Sequence, residues 1–203
     1  WLAFTYRYAC ACLFPRPDNL PLREAPQGAP ALLFLALLQA LFDDERRAFP
    51  REPLLDIALL REVEDSPYAE EYHRFVTAYR REFVYETMRL GLEATPFRAL
   101  EHIAGVNFVA MSVAGDLKRA GAAVDLALVS GAAVAHDIGK FGCRPGERVP
   151  YLHYYYTQDW CRRHKLDAIG HIAANHSVWD LELENLSVES LILIYADFRS
   201  KQE

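Results

Sequence analysis

The sequence predicts an all-α fold, and three observations predict it. Apolar residues recur at helical spacing, as they do over residues 72–88. Helix start signals, a hydroxyl residue followed by proline, stand at Ser66-Pro67 and Thr95-Pro96. Alternation with a period of two residues, which a half-exposed strand would show, extends over no more than one short run. With 52% apolar residues among 203, the chain can bury a hydrophobic core.

The composition excludes several classes of protein. A net charge of -6 at pH 7 argues against broad nucleic-acid binding, because such binding depends on many Lys and Arg contacts. The longest apolar run, residues 31–42, is shorter than the roughly 20 residues of a membrane-spanning helix. The four cysteines are too few and too irregularly spaced for a disulfide framework, which predicts a cytoplasmic location. The first residue is Trp1 rather than Met, which predicts a fragment with a further domain upstream.

Residues 1–95 are predicted to be a helical region of unassigned role. Residues 15–30 contain five prolines and one glycine, so this segment is expected to be a linker or a loop. The region is expected to form a cap on the rest of the chain or a dimer interface, which leaves a homo-oligomer open. Helices are predicted over residues 31–49, 53–64 and 67–91.

Residues 96–203 are predicted to form a second region, built entirely of helices. Its first helix begins at Thr95-Pro96 and stops at Gly121. The next is rich in Ala, Leu and Val and is therefore expected to be deeply buried, with the pair His136-Asp137 at its carboxyl end. Helices are predicted over residues 97–120, 124–137, 151–164, 167–176 and 188–200.

The pair His136-Asp137 raises the question of a metal site. Adjacent side chains on a helix point about 100° apart, so both reach one ion only if the helix end aims between them. Further ligands must then come from neighbouring helices. Imidazole and carboxylate ligands without thiolate suit manganese, iron, magnesium or zinc. Such an ion lowers the pKa of bound water towards about 7, and phosphate esters are natural substrates for the resulting hydroxide.

Six residues of the second region occur along the chain in the order His, His-Asp, His, His and Asp. They are His102, the pair within HDIGK at 136–140, His153, His176 and Asp197. This order resembles the HD-domain superfamily of metal-dependent phosphohydrolases, whose ligands stand on a bundle of helices. The match spans residues 97–201 and makes residues 96–203 an expected HD domain.

The resemblance implies the ligands as well as the fold. One divalent ion would be held by His102, His136, Asp137 and Asp197. A second would be held by His153 and His176, with Asp137 as the bridge. One or two ions of manganese, iron, magnesium, zinc or nickel are therefore expected per chain.

The expected activity is hydrolysis of a nucleotide or another small phosphate ester by metal-activated water. The predicted catalytic residues are Asp137, Lys140 and Arg144. Lys140, Arg144 and Arg199 are the predicted ligands of the substrate's phosphate oxygens. Two other functions stay open: a non-catalytic regulatory module that binds metal and nucleotide to control an attached domain, and a metal-dependent oxygenase with a binuclear iron site.

Other aromatic and histidine residues near this pattern have two interpretations. The run Tyr154-Tyr155-Tyr156, with Trp160, could stack a nucleobase, although aromatic residues on a helix more often pack in the core. His171 precedes His176 by five residues and is therefore expected on a different helical face, outside the ligand set.

Overall fold

The computed structural model describes residues 55–94, 98–144, 146–176 and 186–200, and these residues form helices connected by loops. No strand occurs among them, so the predicted all-α class is confirmed. All of them lie in one compact unit, Ala48–Glu203. The predicted helix 31–49 and the proline-rich segment 15–30 lie outside the described residues. In chain order the helices are α1 Ala69–Arg81, α2 Val84–Ala94, α3 Ala99–Arg119, α4 Leu126–Ala135, a 3-10 helix Ile138–Phe141, α5 Val149–Arg163, α6 Asp167–Ala174 and α7 Val188–Ser200.

Helix α4 lies at the centre of this unit. Every residue from Ala127 to Ala135 is buried, because α1, α3, α6 and α7 all pack around the helix. A helix that is apolar on all faces is stable only in such surroundings. The helix begins where the Asp125 carboxylate accepts a hydrogen bond from the Leu128 N–H, an N-cap. At Gly131 an added Cβ would lie 2.7 Å from the Ile169 side chain, so glycine permits the close approach of α6.

Three helices lie around the carboxyl end of α4, namely α3, α5 and α7. Helix α3 packs along both α4 and α7. It ends in a Schellman motif at Gly121, whose φ is 91°, with the Ala122 N–H donating to the Leu117 carbonyl. Helix α5 packs against the 3-10 helix and against α6. The carboxyl end of α4 therefore faces helices that are distant from it in sequence.

The single helix predicted over residues 67–91 was wrong, because the structure has two helices there, α1 and α2. They separate at Phe83, which has a φ of 52°, and the Phe83 N–H bonds to the Arg80 carbonyl in a helix-terminating turn. Helix α1 packs against α4, whereas α2 packs against α3. One straight helix could not follow both partners, so tertiary packing outweighs the continuous helical pattern.

The predicted helix over residues 53–64 was also wrong in the part that the structure describes, residues 55–64, which are not helical. The side chain of Tyr72 provides a hydrogen-bond partner for one main-chain N–H of this segment. Its hydroxyl accepts from the Leu60 N–H at 2.8 Å and lies 3.0 Å from the Ser130 hydroxyl of α4. A side-chain partner in the core thus holds the segment in an irregular conformation.

Candidate metal centre

The His136-Asp137 pair lies where α4 ends and the chain tightens into the 3-10 helix. His136 is the C-cap of α4, and Asp137 precedes the 3-10 helix. Both side chains are buried. The His136 Nδ1 lies 2.8 Å from the Ala133 carbonyl oxygen and donates to it, so the Nε2 atom faces Asp137.

His102 and Asp197 reach this pair from α3 and α7. The His102 Nε2 lies 3.0 Å from Asp197 Oδ1, 3.2 Å from Asp137 Oδ2 and 3.2 Å from His136 Nε2. The two carboxylate oxygens lie close to a single imidazole nitrogen, which can offer one proton to share between them.

His153 of α5 and His176, just after α6, approach Asp137 from the other side. Their Nε2 atoms lie 3.5 and 3.8 Å from Asp137 Oδ1. Each ring donates its Nδ1–H to a main-chain carbonyl at 2.7 Å, that of Val149 for His153 and that of Ala173 for His176. Asp137 therefore presents one oxygen to each side: Oδ2 to His102 and His136, and Oδ1 to His153 and His176.

Six predicted ligands are thus brought together in two groups that share Asp137 as their common neighbour. Within each group the ligand atoms lie within 4.8 Å of one another. We call His102, His136 and Asp197 the first group, and Asp137, His153 and His176 the second group.

The donor set of both groups fits divalent ions. It consists of imidazole nitrogens and carboxylate oxygens, which suit borderline and hard cations. Three of the four histidines donate Nδ1–H to a main-chain carbonyl, the arrangement that orients the Nε2 of a metal-binding histidine.

Comparison with known proteins agrees with this geometry. The family model described as HD domain matches residues 99–199, which contain α3 to α7 and all six predicted ligands. This part of the chain is an HD domain. No curated protein and no solved structure matches the chain. No described helix is both long and apolar enough to cross a membrane.

The protonation states in the HD domain differ between the two groups. Burial alone would raise the pKa of Asp137, but the charge of His136, hydrogen bonds from His102 and His136, and Lys140 hold it well below its ordinary value. Burial lowers the pKa of His153 and lowers that of His176 to about 3, so both rings are neutral at pH 7. Burial opposes protonation of His102 too, yet its hydrogen bonds to Asp137 and Asp197 raise its pKa.

Two residues of the HD domain that were not predicted, Gly139 and Thr157, hold the Asp137 turn against α5. The Gly139 N–H donates to the buried Thr157 hydroxyl at 3.0 Å, and this hydroxyl donates to the His136 carbonyl at 3.2 Å. A Cβ at Gly139 would lie 1.9 Å from the His153 carbonyl oxygen. The signal in the sequence was the glycine of HDIGK, since glycine permits the close approach of two main chains.

The three predicted substrate ligands lie in different surroundings. Lys140 forms an ion pair with Asp137 Oδ2, and its side chain is 26% exposed, so the ammonium lies between the buried carboxylate and solvent. Arg144 is exposed, and its main-chain N–H bonds to Glu147. Arg199 is half-buried on α7, two residues after Asp197, and so points to a different side of the helix. Lys140 thus contacts Asp137, one of the candidate ligands, directly.

The aromatic residues of α5 divide into core and site residues. Trp160 is buried, and its ring centroid lies 6.3 Å from that of Phe75, as expected for a residue that packs in the core. Tyr155 is 60% exposed, and the Tyr156 hydroxyl bonds to Glu147. Tyr154 alone among the three tyrosines has described ring contacts with His153 and His176.

His171 is exposed and hydrogen-bonds to Asn175. It has no described contact with the six candidate ligands. This position is in keeping with the expectation that His171 lies on a different helical face from His176.

Proposed function

We propose that this chain is a metal-dependent phosphohydrolase that acts on a nucleotide or another small phosphate ester. One observation carries the proposal: candidate metal ligands, all buried except the partly exposed His102, surround the two oxygens of Asp137 from two sides. Membership of the HD-domain family supports the same reaction class. A small phosphorylated substrate, one or two divalent ions and a reducing cytoplasmic setting belong to this proposal.

The first group, together with Asp137 Oδ2, would hold one ion, and the second group would hold another through Asp137 Oδ1. Manganese, iron, magnesium, zinc and nickel are the candidate ions. A bound ion of this kind supplies an activated water near neutral pH. The protein's own task is then to keep Asp137 ionised and three imidazole Nε2 lone pairs aimed inward, which the cited hydrogen bonds support.

Lys140 is the proposed phosphate-binding residue. Its ammonium is paired with Asp137 and partly exposed, so an entering phosphoryl oxygen could contact it without displacing the core. A fixed positive charge there would stabilise negative charge that develops on the phosphoryl oxygens. Arg144, at the loop that follows the 3-10 helix, and Arg199 are proposed as additional ligands of the substrate's phosphates.

The decisive experiment replaces Asp137. The full chain, loaded with Mn²⁺, is incubated with nucleoside phosphates and an aryl phosphodiester, and released phosphate or phenol is measured together with the bound metal. We expect hydrolysis by the wild type and loss of both metal and hydrolysis in Asp137→Ala. The matched control is Asp159→Ala, because Asp159 pairs with Arg162 away from the two groups.

Two results would contradict the proposal. Hydrolysis that persists in a metal-stripped sample would exclude a metal-activated water. Binding of nucleotide without turnover, at full metal occupancy, would instead favour the regulatory module.

A further inference from the structure

Tyr154 packs against both histidines of the second group. Its ring centroid lies 3.8 Å from that of His153, with an interplanar angle of 39°, and 5.0 Å from that of His176, with an angle of 31°. The side chain is half-buried at the edge of the site. One aromatic ring thus contacts the two imidazoles that lie opposite Asp137 Oδ1.

These contacts matter because a single hydrogen bond does not fix the plane of an imidazole. The Nδ1–H bonds of His153 and His176 to main-chain carbonyls select the tautomer and the position of Nδ1. Each ring could still tilt about its hydrogen bond and swing Nε2 away from Asp137. The ring of Tyr154 restricts this tilt, since it lies against His176 at the distance of a packed aromatic pair and against His153 more closely still.

We propose that Tyr154 is a positioning residue that orients His153 and His176 for a divalent cation at the second group, an inference that rests on the proposed function. The aromatic ring performs this role, because the ring makes both described contacts. The first group takes its ligands from other elements, namely α3, α7 and the end of α4.

The test titrates three variants of the full chain with Mn²⁺. Electron paramagnetic resonance measures the concentration of the free ion at each step. In Tyr154→Leu, which keeps apolar bulk without a ring, we expect one of two Mn²⁺ ions to bind about 10- to 100-fold more weakly. Tyr154→Phe should bind both ions as the wild type does. Tyr155→Leu is the matched control, because the neighbouring ring is 60% exposed and its described ring contact is with Tyr156. Thermal unfolding checks that each variant is folded.

The outcomes separate this inference from the proposed function. Two ions bound equally well by the wild type and by Tyr154→Leu would overturn the positioning role and leave the proposed function intact. Weakening of both ions together, or weakening in Tyr154→Phe, would likewise overturn it. If the wild type bound a single Mn²⁺ ion, the second metal site would be excluded but the proposed hydrolase activity would not. If the wild type bound no Mn²⁺, both the positioning role and the proposed function would be refuted.

Discussion

At the scale of single residues, Asp137 decides the arrangement of the candidate site. It is buried, and each of its carboxylate oxygens faces different histidines. An ionised carboxylate in such surroundings is stable only when cations or hydrogen-bond donors compensate its charge. Here His102, His136 and Lys140 provide that compensation. A bound divalent ion would provide the same compensation more strongly.

The protonation of His102 leads to a prediction about pH. Its raised pKa means that the metal-free protein keeps a proton on His102 to a higher pH than a free histidine does. A cation can bind this ring only after the proton has left it. Protons therefore compete with the cation below the folded pKa of His102, and this competition disappears above that pKa. We expect Mn²⁺ affinity at the first group to fall by up to about tenfold per pH unit below that pKa. Titrations between about pH 6 and about pH 8 measure it.

The variant His102→Gln provides the comparison for this pH series. It should bind Mn²⁺ more weakly than the wild type, with a flatter pH profile, since glutamine holds no such proton. His176, with a pKa of about 3, contributes no proton competition over this range. An affinity that is constant across the range in the wild type would contradict the prediction.

At the scale of elements, the contact between the 3-10 helix and α5 determines whether the two groups share Asp137. A Cβ at Gly139 would lie 1.9 Å from the His153 carbonyl oxygen and 2.5 Å from the Thr157 nitrogen. Both are main-chain atoms of α5, which cannot rotate aside as a side chain can. Any larger residue must therefore push α5 and His153 away from Asp137.

We accordingly expect Gly139→Ala to lower the free energy of unfolding by about 3 kcal/mol, the upper part of the range for overpacking. It should also weaken Mn²⁺ binding at the second group. Denaturant unfolding and metal titration measure the two effects. The matched control is Gly115→Ala on α3, where a Cβ would meet nothing closer than 3.4 Å. Wild-type stability in Gly139→Ala would contradict the close contact described here.

At the scale of the whole molecule, the HD domain depends on helices that precede it in the sequence. The family match begins at residue 99, yet α1 packs against α4 and α2 packs against α3. Tyr72, Phe75 and Met88 of these two helices are fully buried. Burial of such a side chain stabilises a protein by about 1.5 to 3 kcal/mol, and three of them approach the total stability of many domains.

We predict that a fragment of residues 96–203 does not fold cooperatively, because it lacks α1 and α2. A fragment that starts at Ala48, where the compact unit begins, should keep the thermal transition and the Mn²⁺ binding of the full chain. Calorimetry of both fragments tests this. A cooperative transition of the shorter fragment within a few degrees of the longer one would show that α1 and α2 are dispensable, and that the predicted boundary near residue 95 separates independent domains.

The sequence by itself determined the class of the fold and named six candidate ligands. The helical periodicity, the apolar run of α4 and the HDIGK stretch are local features, and local features depend on nearby residues alone. The predicted α7 agrees with the observed helix at both ends. The six candidate ligands were all named from their order along the chain.

Only the tertiary structure decided how these elements meet. The break at Phe83, the irregular segment before α1, the division of Asp137 between two groups and the contacts of Gly139 and Tyr154 all depend on how separate elements of the fold pack together. Helical periodicity shows which face of a helix is buried, but not which helix covers it. The arrangement of the candidate ligands arises from that choice of partners, because side chains on separate helices converge only when the whole bundle has packed.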